Sequence, residues 1–397
     1  MKKHTCARKA VFDARWILPT PSGIGVCARE LAARLPALLP DWEFVFLCRD
    51  AEARERLVAC LPAAGEGRMA TRTLGYGPAS PRNQLLLPAE LRALRAGLFH
   101  SPNFLIPFSA FPKGRPGRIR CIATIHDVIP LVVPGYAPRS RTSRFRGLYR
   151  FCLRQAARRA DALVTVSERS RRDAVAALRL GAADAARIRV VPNGVDDAFF
   201  ALAGARPPVR GAADRSERTV LYVGRSDPYK NVPMLVEAFA AARARAPFPM
   251  RLVVAGARDP RYPEAEARAR ALGVADAVAF AGALPFGELL GLYRTADLLA
   301  HPSRYEGFGL QIAEAFAAGL PVLCTDGGAA PEVAGDAARI VPLEGGAKAF
   351  AEEMLALLRD PEALGRLRGA GLRRARDFTW DRAARAVAAC YGEVSAP

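Results

Sequence analysis

Paired cysteines, a D-x-D motif and any long apolar run are all missing from this 397-residue chain. Its eight cysteines (Cys6, Cys27, Cys48, Cys60, Cys121, Cys152, Cys324 and Cys390) stand far apart with no C-x-x-C. That excludes a zinc ribbon or a dithiol redox site and reads as thiols in a reducing compartment. No segment approaches the roughly 18 consecutive apolar residues of a membrane-spanning helix. The opening MKKHTCARKA passes from a basic cluster into mixed sequence without an apolar core or a cleavage site, so a cytoplasmic protein is expected. No repeat of 20 to 50 residues and no long low-complexity tract is evident. Acid is scarce in the first half: residues 1–200 carry 33 Lys and Arg against 16 Asp and Glu, which is +17 of the total +19. Two explanations stand side by side. Either an anionic surface or substrate meets this half, or arginine is abundant through genome composition.

What is present is a large apolar fraction, 51%, in a chain long enough for two domains. Short apolar or β-branched runs alternate with Ala/Leu/Arg runs of helical period, the pattern of βα units and parallel sheets. The runs are residues 42–48, 97–101, 120–127, 161–167 and 187–194 in the first half. In the second they are 218–225, 250–256, 277–283, 298–303 and 321–327. The fold class is therefore α/β, with two Rossmann-like doubly wound parallel sheets. Gly, Pro and charge accumulate over 201–217, which places the domains at 1–205 and 206–375. Ligands of such sheets bind beyond the carboxyl ends of strands.

Four segments carry candidate chemistry. In SRYEGFGLQIAEAF (303–316) a Gly-containing loop leads into a helix beginning near Gly309, whose unpaired N–H groups and dipole favour a phosphate. Glu306 precedes that helix and Glu314 lies inside it; each carboxylate could accept hydrogen bonds from a sugar or ribose hydroxyl. The alternative is a dipole-facing Glu plus a surface Glu. In YVGRSDPYKN (222–231), Arg225 and Lys230 follow a strand end and could converge on a diphosphate, or be solvated. Gly23 and Gly25 precede a helix in PTPSGIGVCAREL (19–31), where backbone can approach an anion or sugar, or form a plain tight turn. His126 and Asp127 end the apolar strand of TIHDVIP (124–130); His126 is a cleft residue or a core histidine bonded to backbone. Separately, 139–159 holds eight arginines with Phe145, Leu148, Tyr149 and Cys152 at helical spacing. This stripe either docks on the sheet or lies on an anionic membrane.

Together with VTVSERSRRD, VVPNGVD and GGAAPEVAGDAA, these segments resemble glycosyltransferase family 4, whose members are retaining enzymes of the GT-B fold, two domains facing across a cleft. EGFGLQIAE matches the family's E-x7-E element, and TIHDVIPL is similar to the bacterial O-antigen and exopolysaccharide mannosyltransferases. The resemblance implies that Arg225 and Lys230 hold the donor diphosphate. It further implies that backbone groups of Phe308, Gly309 and Leu310 meet phosphate or sugar, that Glu306 meets the transferred sugar, and that Glu314 takes the ribose. His126 falls on the sugar and acceptor side, Gly23 and Gly25 line the donor cleft, and the segment ending at Leu284 grips the base. Residues 376–397 resemble a helix crossing back to the first domain. A nucleotide-sugar donor is implied, GDP-mannose first, with a lipid-linked or growing glycan acceptor, possible contact with the membrane surface, no cofactor and no required metal. The rival readings are a UDP-sugar transferase, a nucleotide-sugar epimerase of the same fold, and a basic nucleic-acid-binding protein.

Overall fold

A computed structural model describes residues 8–395 except 20–21, 63–66, 115–116, 212–213 and 215; His4, Cys6 and the opening segment lie outside the described residues. The chain forms two compact units. One takes in the chain up to Val128, then Phe145–Gly194 and everything from Trp380 on; the other is Ile129–Arg144 with Val195–Thr379. The helices that bear on function are α1 (Gly23–Leu38), α2 (Arg146–Arg159), α3 (Val232–Arg243), α4 (Phe286–Thr295), α5 (Leu310–Ala317) and α6 (Trp380–Ser395).

The first unit is built on strands β1 (Arg8–Phe12), β2 (Trp42–Cys48), β3 (Met69–Thr73), β4 (Leu98–Ser101), β5 (Arg120–Thr124), β6 (Ala162–Thr165) and β7 (Ile188–Val190). They pair in the order β3-β2-β1-β4-β5-β6-β7, all parallel. Helices cover both faces of such a sheet, so its central strands are continuous apolar runs. Phe12, Phe44 and Phe46 are buried, and Trp380, Val387 and Tyr391 of α6 join the same core.

The second unit holds β8 (Arg218–Val223), β9 (Met250–Ala255), β10 (Val278–Gly282), β11 (Leu298–His301), β12 (Val322–Thr325) and β13 (Arg339–Val341). Their order is β10-β9-β8-β11-β12-β13, again all parallel. Strand order reverses between β8 and β11, and ligands bind at such reversals. Three strands escaped the sequence reading. β1 has only a short apolar run after Arg8 and Lys9, β3 is an exposed polar edge, MATRT, and β13 is three residues long.

The chain returns to the second unit at Val195, eleven residues ahead of the 206 boundary expected from composition. The reason is Phe199, buried edge-on against Tyr293 at 5.0 Å and Phe286 at 5.9 Å. At the other end, Trp380 crosses so close to Gly194 that a Cβ there would lie 2.2 Å from the Trp380 nitrogen.

Candidate active site

The loop after β8 is shaped by backbone contacts that only glycine permits. A Cβ on Gly256 would stand 1.8 Å from the Gly224 carbonyl oxygen. Beyond it, Pro228–Lys230 forms a single 3-10 turn, and Asn231, at φ 59°, turns the chain into α3. Asn is among the residues that tolerate this left-handed conformation. The Asn231 amide donates to the Pro302 carbonyl at 3.2 Å, and the Arg304 N–H donates to the Tyr229 carbonyl at 2.8 Å. Tyr229 packs with Ile129 and Tyr305. The loops following β8 and β11 are thereby fastened to each other at the reversal point.

Two candidate side chains meet there. Lys230 Nζ donates to both oxygens of Glu306, at 2.7 and 3.0 Å. His301 Nε2 lies 2.9 Å from Glu306 Oε1; an ionised carboxylate only accepts, so this nitrogen carries the proton. His301 is 1% and Glu306 5% exposed, and the Lys230 side chain 11%. Burial opposes the Glu306 charge, but Lys230 and then His301 outweigh it and hold the carboxyl well below the usual carboxylate range. Burial likewise works against the Lys230 charge, and Glu306 reverses that, leaving its pKa raised. The result is a buried, fully ionised pair.

The Glu306 backbone is fixed from beneath. The Ala329 N–H donates to its carbonyl at 2.9 Å. A Cβ on Gly328, where φ is +65°, would lie 2.4 Å from the Glu306 nitrogen, and one on Gly327 2.4 Å from the Ser303 carbonyl oxygen. The two glycines of GGAAPE therefore let β12's loop press against the E-x7-E loop.

Glu314 sits in the first turns of α5 and is half-buried. Tyr293 of α4 donates to its Oε2 at 2.7 Å. Burial pushes the Glu314 carboxyl up to about 7; the Tyr293 hydrogen bond pulls the other way and the Asp196 charge adds to the push. Gly309 caps α5 at φ 91°, as the sequence reading places it, and Leu310 opens the helix without a side-chain cap. The Phe308 ring turns inward, edge-on to Phe378 at 5.5 Å. Leu284 lies in the loop after the edge strand β10.

Arg225 is 65% exposed at its side chain, yet held: Nε and Nη2 both donate to Asp227 Oδ2, at 2.6 and 2.5 Å, and Asp227 is buried. The remaining candidates belong to the first unit. Gly25 is needed for packing, since a Cβ would meet the Trp16 carbonyl oxygen at 2.9 Å, and its N–H donates to the Ser22 hydroxyl that caps α1. A Cβ on Gly23 meets nothing within 4 Å. His126 follows β5 and contacts the Pro102 carbonyl through Nε2 at 2.9 Å. That carbonyl accepts, so Nε2 is the donor and Nδ1 keeps a free lone pair while the ring is neutral. Burial lowers its pKa.

Lys230 and Glu306 thus touch, Arg225 and Glu314 stand on the same unit's loop and helix, and His126, Gly23 and Gly25 stand on the other unit. Sequence reasoning missed His301, Tyr293, Asp227 and the support from Gly327 and Gly328. The spacing Arg-x-Asp and the His before Pro-Ser were available signals; Tyr293, 21 residues before its partner, had none.

Residues 21–199 match the family model described as Glycosyltransferase Family 4, and residues 209–374 that described as Glycosyl transferases group 1. The D-inositol 3-phosphate glycosyltransferase of Segniliparus rotundus is 37% identical over 53% of this chain and 48% of its own length. The O-antigen chain mannosyltransferase B of Escherichia coli is 27% identical over 73% of each chain. The matched region spans about half the length of the first curated relatives, 48% to 54%. Among solved structures, sucrose-phosphate synthase from Thermosynechococcus elongatus aligns with a TM-score of 0.70 at 22% identity, covering 97% of this chain and 98% of that one. Anabaena HepE in complex with UDP and glucose aligns at 0.71 and 18%, covering 98% and 100%. These likenesses show the fold, the paired Rossmann-like sheets of GT-B.

Proposed function

Because this chain belongs to glycosyltransferase family 4, we propose that it moves a hexose from a nucleoside diphosphate sugar to a glycan or lipid-linked acceptor at the membrane face, retaining the anomeric configuration. The observation that carries the reading is the buried Lys230–Glu306 pair with His301, held at the reversal point of a parallel sheet. A lysine already drawn to a carboxylate at such a point is placed to exchange that partner for the donor's diphosphate.

In the reaction the bond from the sugar's anomeric carbon to the phosphate oxygen breaks and negative charge grows on the diphosphate. Lys230, Arg225 and the N–H groups opening α5 stabilise that charge where it develops, which lowers the barrier selectively. Glu306, kept ionised by His301 when Lys230 turns to phosphate, accepts hydrogen bonds from the transferred sugar. Glu314 offers its second oxygen to the ribose hydroxyls, and the Leu284 segment takes the base. His126, Gly23 and Gly25 belong to the first unit, and the family resemblance alone assigns them to the sugar and the donor. The acceptor oxygen attacks from the face the leaving group departs, and its proton passes to the leaving phosphate oxygen. Protein cations do the neutralising, so no metal is required.

We take GDP-mannose as the donor, in line with the resemblance to mannosyltransferases. Thermal shift against a panel of GDP- and UDP-sugars tests it, followed by analysis of the product's anomeric configuration. Stabilisation by GDP-mannose and a retained product are expected. Stabilisation by UDP-sugars alone moves the donor to the uridine class, and conversion of the donor's sugar without acceptor makes the enzyme an epimerase.

A further inference from the structure

The transfer chemistry leaves unused a group of large apolar side chains standing in solvent on the first unit. Phe145, Leu148 and Phe151, at the start of α2, are 57%, 61% and 50% exposed, and Leu85 and Leu86 are 76% and 52% exposed. Helical spacing joins Phe145 and Leu148 to Tyr149 and Cys152, but the structure divides that stripe. Tyr149 turns inward, edge-on to Phe104 at 5.3 Å, while Phe145 and Leu148 stay outside with Phe151. The helix is held by its later residues, Leu153, Gln155, Ala156 and Ala157.

The two exposed segments are neighbours. The Gln84 amide donates to the Ile106 carbonyl at 2.8 Å and its oxygen accepts from the Phe108 N–H at 2.9 Å. The Phe108 ring then meets Phe151 edge-on at 6.1 Å. Leu85 and Leu86 follow Gln84 directly. The sequence around them within the first unit is basic: residues 91–128 and 145–160 hold 11 Lys and Arg and a single acid, Asp127. On α2 itself there are five arginines and no carboxylate; one of them, Arg159, bends inward to the Phe108 and Phe111 carbonyls.

We propose that this face of the first unit docks on an anionic lipid surface, with Leu85, Leu86, Leu148 and Phe151 entering the boundary between headgroups and acyl chains and the exposed Arg146 and Arg150 of α2 meeting the headgroups. Apolar tips interleaved with cations are what such an interface selects. Charge argues against a second copy of the chain, because two such faces would bring their arginines together. Nucleic acid would use the arginines but has no need of exposed leucines. The inference rests on the reading of the acceptor as lipid-linked and gives that reading a place on the molecule.

Flotation of the full chain with vesicles of phosphatidylcholine, alone or mixed with phosphatidylglycerol, tests it. Binding is expected only to the anionic vesicles. Leu148→Ser with Phe151→Ser, and separately Leu85→Ser with Leu86→Ser, should each weaken it at least about ten-fold, from the apolar area no longer buried. Arg150→Gln should weaken it about five-fold. Leu272→Ser, at a 37% exposed site on the second unit, should leave it unchanged. Vesicle binding that is insensitive to both apolar pairs, or absent at low salt, overturns the proposal. So does a dimer, or retained RNA, that these substitutions abolish while vesicles are ignored. Binding of GDP and UDP without vesicles is measured in parallel; it reports on the transferase reading alone and should survive the apolar substitutions.

Discussion

At the residue scale, the site is decided by three partnerships: Lys230 with Glu306, His301 with Glu306, and Tyr293 with Glu314. Breaking a buried ion pair leaves one charge uncompensated, so Lys230→Ala should cost about 3–5 kcal/mol of stability. Lys230→Ala with Glu306→Ala should cost less than the two single changes added together, a coupling that denaturant melts of the four proteins would read. Transfer by Glu306→Gln, which keeps the shape, should fall about 100-fold or more if the carboxylate acts on the sugar. Glu314 makes a pH prediction. Its carboxyl titrates near 7 in the folded chain, so nucleoside diphosphate affinity should weaken as pH falls below 7. Tyr293→Phe, which removes the hydrogen bond favouring the ionised form, should move that transition to higher pH. The stability sign follows: between the unfolded value of 4.5 and about 7 the folded chain binds more protons, so the Glu314 contribution to stability falls as pH rises through that window. Glu314→Gln should therefore stabilise more at pH 8 than at pH 5.

Much of this was legible in the sequence, and what was not has physical causes. Arg225, Lys230 and Glu306 could be found because each follows an apolar strand, and Glu314 because a carboxylate stands out in the apolar helix that comes next. That Lys230 and Glu306 would bond each other could not, since 76 residues separate them and only the pairing of β8 beside β11 brings them together. Gly25 looked like a ligand-binding glycine and proves to have a packing duty as well, against Trp16. Two readings were open for the His126 ring, and its bond to a backbone carbonyl fits the quieter one without removing the other.

At the scale of elements, glycines and one returning helix set the tolerances. Gly328→Ala would bring a Cβ into the Glu306 backbone and strain a φ of +65°. Loss of transfer together with a lowered Tm is expected, because the Glu306 loop must move. Gly194→Ala should be severe as well, since Trp380 occupies the space a Cβ needs. Helix α6 supplies Trp380, Val387 and Tyr391 to the first unit's core, and the Tyr391 hydroxyl sits 3.0 Å from His100 Nδ1. Tyr391→Ala should cost about 3–5 kcal/mol, read by chemical denaturation. The sequence reading found most strands because the apolar runs are long; it missed β1 even though that strand is central. Its apolar part is three residues, and its neighbours, not its own composition, make it a strand.

At the scale of the whole molecule, two separate sheets each reverse strand order once, and the charges proposed to bind the donor all lie on the second. Helix dipole, lysine and arginine together give it a place for a diphosphate, and transfer should persist in excess EDTA; loss of activity on chelation, restored by magnesium, would contradict the metal-free reading. On the proposed function, Lys230 and Arg225 hold the diphosphate. Calorimetric titration of nucleoside diphosphate into the folded wild-type, Arg225→Ala and Lys230→Ala proteins tests it most directly. A loss of about 10- to 100-fold in affinity is expected for each variant, the size of a hydrogen bond to a charged group. Affinity equal to wild type in both variants would contradict it.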